Sequence, residues 1–165
     1  MLIGSLLGLG CGFANGMAAT DYFVDSQGGS DARIGTSESQ AWKSLEKVNA
    51  VVFEPGDRIL LKRNGSWAGQ LEPKGSGVQG APIQIDSYGS GDFPKISGQG
   101  ASFALCLSNQ EYWEIRNLEI RNSAPQEGER VGVLIVGEDG PEVLHHLYVE
   151  KVNVRDVRGM LGTGS

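Results

Sequence analysis

Five charged residues bracket one apolar run. Glu127, Glu129 and Arg130 precede Val131-Gly-Val-Leu-Ile-Val136, and Glu138 and Asp139 follow it. Two carboxyl groups a few ångströms apart can serve as an acid or hold a metal. A basic side chain can instead act as a general base. Arg130, Glu138 and Asp139 are the catalytic candidates on that basis, and solvated turn charge is the competing reading. His145-His146 is the one histidine pair. Neighbours in a strand point to opposite faces, so one of the two faces outward. His145 is the candidate base or metal ligand, against a turn or strand-edge role. Asp25-x-Gln27-x-Gly29-x-Asp31 sets oxygen donors at alternating positions, as calcium loops do, without their downstream bidentate Glu. Asp25 and Asp31 are the metal candidates, against a hydrogen-bonded turn. Gly75-Ser-Gly77 and Gly89-Ser-Gly91 lack the helix and Lys-Ser/Thr of a phosphate loop. Arg116, Arg121 and Arg155 lie near Glu114, Glu119 and Glu150, the mixture of a solvated face with cross-strand pairs.

Composition says what must hold these residues. The chain has 165 residues and a net charge of −6, which argues against nucleic acid as a partner. Gly supplies 25 residues, about twice the usual share. At about 1 kcal/mol per helical site that disfavours a bundle. Apolar residues reach 39 % without counting Gly, enough for a core. The sum is a turn-rich β protein.

Residues 1–19 carry no charge, and Leu2, Ile3, Leu6, Leu7 and Leu9 lead to small residues ending at Ala18-Ala19. This reads as a secretory signal peptide without the usual basic start. The run is too short and interrupted for stable membrane insertion. Removal at Ala19 takes Cys11 and leaves Cys106 as a buried core thiol. Localisation is therefore expected to be extracellular or periplasmic.

Residues 20–52 read as a strand at Tyr22–Val24, a loop, and one amphipathic helix over about 39–50. Ser37 and Gln40 form its capping box, and Trp42, Leu45 and Val48 form its buried stripe. Residues 53–165 read as short strands divided by Gly-rich turns. Trp113-Glu-Ile-Arg-Asn-Leu-Glu-Ile-Arg-Asn122 aligns with Leu147-Tyr-Val-Glu-Lys-Val-Asn-Val-Arg-Asp156. Apolar positions coincide, and both blocks break alternation at the same place, Arg116-Asn117 and Glu150-Lys151. Two successive outward residues require a bend. Each block is two short strands with a two-residue corner, and Val131–Val136 supplies a third strand. That is an all-β solenoid, a right-handed parallel β-helix. Ile59/Leu61, Ile83/Ile85, Ile115 and Val149 should stack on one face. Leu71, Phe103–Leu107 and Val131–Ile135 should stack on another. The helix would cap the first coil. The chain is expected to stop after three to four coils with its far end uncapped, as the first part of a longer protein. Should it be complete, oligomerisation through that end is expected.

The motifs Asp25-x-x-Gly-Gly-x-Asp31, Trp42-x-Ser-Leu-x-Lys-Val-Asn49, Phe53-x-Pro-Gly-Asp57 and Tyr112-Trp-Glu-Ile-x-Asn-Leu118 carry a resemblance. Together they resemble the N-terminal region of secreted bacterial β-helix proteins of the pectate-lyase-like superfamily, over roughly residues 21–158. The resemblance implies a polysaccharide or glycan partner and a polysaccharide lyase or glycoside hydrolase, with main catalytic groups downstream. It implies Ca²⁺ in the full-length protein where that protein is a lyase. The alternative class is a non-catalytic adhesion or glycan-binding module.

Overall fold

The computed structural model describes residues 18–126, 128–138 and 143–159. Among them lie nine strands: β1 (Asp21–Val24), β2 (Arg58–Lys62), β3 (Ser66–Ala68), β4 (Ile83–Tyr88), β5 (Lys95–Ser97), β6 (Phe103–Ser108), β7 (Trp113–Asn122), β8 (Val131–Val136) and β9 (Leu147–Val157). Every pairing between them is parallel. Parallel neighbours need long crossovers, and here the crossovers are the rest of each coil.

Three columns of side chains define three faces. Tyr22, Ile59, Ile85, Ile115 and Val149 stand in register on the first. Trp67, Ile96, Ile120 and Val154 stand on the second. Leu71, Leu105 and Val133 stand on the third. The first and third are the columns expected from the sequence. Apart from the outermost positions they are buried: Ile59, Ile85, Ile96, Ile120, Leu71 and Leu105 are all fully enclosed. The chain is nearly all β, arranged as a parallel β-helix. The expected corner is present inside β7 and β9. Asn117 and Lys151 both take left-handed φ, +54° and +52°, which turns the chain from the first face to the second.

The N-terminal helix differs from expectation. A single helix over 39–50 does not form. Instead there is a 3-10 turn at Glu38–Gln40, an extended Trp42, and a short helix α1 (Leu45–Asn49). The cause is long-range capping. The Asp31 carboxylate accepts the backbone N–H groups of Lys43 and Ser44, at 2.8 and 3.0 Å, which holds those residues out of a helix. The cap is accordingly Ser44, whose hydroxyl accepts from Lys47 N–H at 3.1 Å. Ser37 makes no side-chain cap. Trp42, Leu45 and Val48 are buried as expected, but α1 is too short to cover the end of a solenoid. The open edge of β1 is met by the extended segment: Trp42 N–H donates to the Phe23 carbonyl, and Asp25 N–H to the Trp42 carbonyl. β1 itself pairs with β2, so the first strand belongs to the same sheet as the coils.

Residues 1–17, and with them nearly all of the expected signal segment, lie outside the described residues. Among the described residues no helix is long and apolar enough to cross a membrane. Cys106 is buried, and burial pushes its thiol pKa up.

Candidate functional site

One group of titratable side chains sits where β7 and β9 begin. Tyr112 N–H donates to the His145 carbonyl at 2.8 Å, and Trp113 N–H to the His146 carbonyl at 3.0 Å. This register sets Glu111 beside His145 and Tyr112 beside His146. Tyr112 and His146 both adopt left-handed φ, +56° and +51°. The Tyr112 ring lies near-parallel to both imidazoles, with centroids 6.1 Å from His145 and 6.0 Å from His146.

Each histidine has its own carboxylate. His145 Nδ1 lies 2.8 Å from Glu111 Oε2, which also accepts the His145 backbone N–H at 3.1 Å. His146 Nε2 lies 2.7 Å from Glu114 Oε1. Glu114 is buried, and its Oε2 accepts from Gln84 Nε2 at 3.0 Å and from Arg116 Nη1 at 2.7 Å. Burial alone would raise the Glu114 pKa. The His146 hydrogen bond and the Arg116 charge outweigh it and hold the carboxyl below its ordinary value. Glu111 is held low chiefly by the His145 side-chain hydrogen bond. Both carboxylates are therefore acceptors at neutral pH. Neither is the raised carboxylic acid that protonates a glycosidic leaving group. Beside them is a recess of about 260 Å³ lined by Gln79, Gly80, Pro82, Tyr112, Glu114 and His146.

The depressed Glu114 pKa has a measurable sign. Its stabilisation is complete above the ordinary carboxylate value of 4.5 and is lost as pH falls through the lower folded-state value. The Glu114→Gln variant should melt lower than wild type at neutral pH. Its melting temperature should also fall less steeply below that pH. Parallel curves on acidification would remove the assignment.

No family model matches the chain. The comparisons point one way: the chain is similar to glycosidases. It is 35% identical to a lacto-N-biosidase of Bifidobacterium longum in an alignment of 133 residues that covers 64% of this chain and 8% of that protein. It is 33% identical to alpha-1,3-galactosidase A of Akkermansia muciniphila over 64 residues, 39% of this chain and 11% of that one. Among solved structures, the GH136 lacto-N-biosidase from Eubacterium ramulus aligns with 85% of this chain and 27% of its own. Its TM-score is 0.80 at 28% identity. A native form of the same enzyme aligns with TM-score 0.71 at 26% identity. The chain thus spans a small part of the length of these relatives.

Against that background the remaining sequence candidates are scattered. Glu138 is exposed, and its backbone N–H donates to Asn109 Oδ1 at 2.8 Å. Asp139 lies outside the described residues. Arg130 sits at the start of β8 with Nε and Nη1 buried and without hydrogen-bond partners. It lines a recess of about 430 Å³ with Val131, Val133, Val154 and Val157. Of the catalytic candidates only His145 joins the cluster. The Asp25 carboxylate accepts from Gln27 N–H, Gly28 N–H and Lys62 Nζ, at 2.9, 3.0 and 2.6 Å. Asp31 is occupied by Lys43 and Ser44. In both cases the oxygens serve loop closure. Among the described residues no three His, Cys, Asp or Glu side chains group as a metal site would require. In the sequence, His146 is marked by the histidine pair, Glu114 by its mixed-charge face and Tyr112 only within a resemblance motif, while Glu111 is unmarked. The repeat alignment carries the missing signal: extended two residues N-terminal of Trp113 and Leu147, it pairs Glu111 with His145 and Tyr112 with His146.

Proposed function

We propose that this chain is the early coil region of a larger secreted glycoside hydrolase of right-handed β-helix fold that acts on a glycan. The observation that carries this reading is the alignment of 85% of the chain with a GH136 lacto-N-biosidase at TM-score 0.80 and 28% identity. The curated relatives are glycosidases as well, which favours hydrolysis over lyase elimination. The catalytic pair is placed elsewhere in the protein. The strand face Val131–Val136 carries no acid or base, and the two carboxylates that cluster are held ionised. The chain's role in this scheme is to start the coil and fix its register.

The test is a product assay on the whole secreted protein. Glycans terminating in lacto-N-biose or in α-1,3-linked galactose should release a reducing sugar. A folded protein that yields no product across such a panel overturns the proposal. Unsaturated uronates from acidic polysaccharides would replace it with a lyase.

A further inference from the structure

Beyond hydrolysis, the recess beside Glu114 has the chemistry of a saccharide site. We infer that it binds one neutral pyranose unit, as a contact separate from the reacting bond. The inference rests on the glycan-directed reading of the protein for the choice of ligand.

The walls are apolar and flat. Pro82 and the Tyr112 ring line the recess, and a ring face can take the C–H face of a pyranose as it takes another apolar ring. The floor is polar and fixed. An ionised carboxylate offers about four acceptor sites, and Glu114 uses three of them, for His146, Gln84 and Arg116. One acceptor on Oε1 is left for a hydroxyl. Tyr112 and His146 line the same recess. A few fixed polar groups in an apolar recess are the usual plan of a small-molecule site.

The charge balance argues for a neutral ligand. Glu111 and Glu114 already hold the two histidines and Arg116, so neither carboxylate is free to pair with a cationic ligand, and an anionic one would meet both of them. The geometry is also pre-set. Register fixes Tyr112 beside His146 through main-chain bonds, and Glu114 is held from three sides, so little ordering remains to oppose binding.

The experiment uses the whole protein and three probes: galactose, lactose and lacto-N-biose. Saturation-transfer NMR should place the contact on C–H protons of one ring. Tyr112→Ala should weaken the measured Kd about five- to tenfold, and Tyr112→Phe should leave it within about threefold. The kcat for a short aryl glycoside reads the reacting bond separately from this contact. Should Tyr112→Ala fail to fold, Gln79→Trp fills the recess from an exposed turn and should abolish the contact. Unaltered binding in a folded Tyr112→Ala or Gln79→Trp protein overturns the inference. Absence of binding by an active wild-type hydrolase does so too, as does binding of butylammonium in place of sugars. Binding without hydrolysis, lost in Tyr112→Ala, would keep this inference and remove the hydrolase reading.

Discussion

Trp113→Ala should lower stability by about 3–5 kcal/mol, the largest effect expected of any single truncation in this chain. Trp113 is fully buried and stands between Ile83 and Leu147 in the ladder. Its indole N–H donates to the Gly75 carbonyl at 2.9 Å. The segment around Gly75 is tied on both sides, because Phe53 N–H donates to the Lys74 carbonyl at 2.8 Å and Gly77 N–H to the Glu111 carbonyl at 3.1 Å. The Gly75 φ is +117°, and a Cβ there would lie 2.2 Å from the Phe53 carbonyl oxygen, so the backbone is already in close contact on that side. The cavity therefore stays open, and the truncation costs both packing and a buried hydrogen bond. At about 2–4 °C per kcal/mol for a chain of this size, the melting temperature should drop by about 6–20 °C. Trp113→Phe keeps most of the packing and should lose about 1–2 kcal/mol for the orphaned carbonyl. A Trp113→Ala loss below about 1 kcal/mol would show that the stack does not carry the fold.

Asn122→Ala should cost about 2–4 kcal/mol through polarity rather than volume. Asn122 is fully buried at the end of β7. Its Oδ1 accepts from Gly100 N–H at 2.9 Å, and its Nδ2 donates to the Ala101 and Val131 carbonyls, both at 2.8 Å. One side chain thus satisfies three backbone groups at a corner, where no strand can. Asn122→Asp should be no better, because both carbonyls would then face an acceptor. Chemical denaturation with an unchanged m-value would isolate the effect to the folded state. Surface ion pairs such as Arg121 with Asp156 should each be worth under about 1 kcal/mol. An Asn122 variant that behaved like one of those would remove its structural role.

The contrast between these residues and the short helix shows where sequence is readable. Columns such as Ile59, Ile85, Ile115 and Val149 are legible because burial demands an apolar residue at each level. The corner at Asn117 and Lys151 is legible because it breaks a period of two. Two polar residues in a row cannot both face inward. The helix boundaries were not legible, because Asp31 is 12 and 13 residues from the N–H groups it caps. Local propensity gives no hint of that contact. The clustering of Glu111 with His145 was hidden for a related reason. It depends on register between coils, and register is set by apolar residues two positions away. Arg130 stands apart: its charge marks it as a candidate in the sequence, and its environment, with two nitrogens buried without hydrogen-bond partners, is visible only in the fold.

The ladder of the first face has a consequence for how such a protein diversifies. Ile59, Ile85, Ile115 and Val149 are successive rungs, yet 26, 30 and 34 residues separate them. Chain length therefore varies from turn to turn while the rung spacing does not. Insertions are absorbed in the loops outside the sheets, at little cost in closure entropy. The coil works as a ruler that counts height and ignores contour length. A longer loop changes what projects from the wall and leaves unchanged the level at which it projects. Recognition surfaces can then vary by insertion and deletion alone, with every side chain of the frame kept at its address.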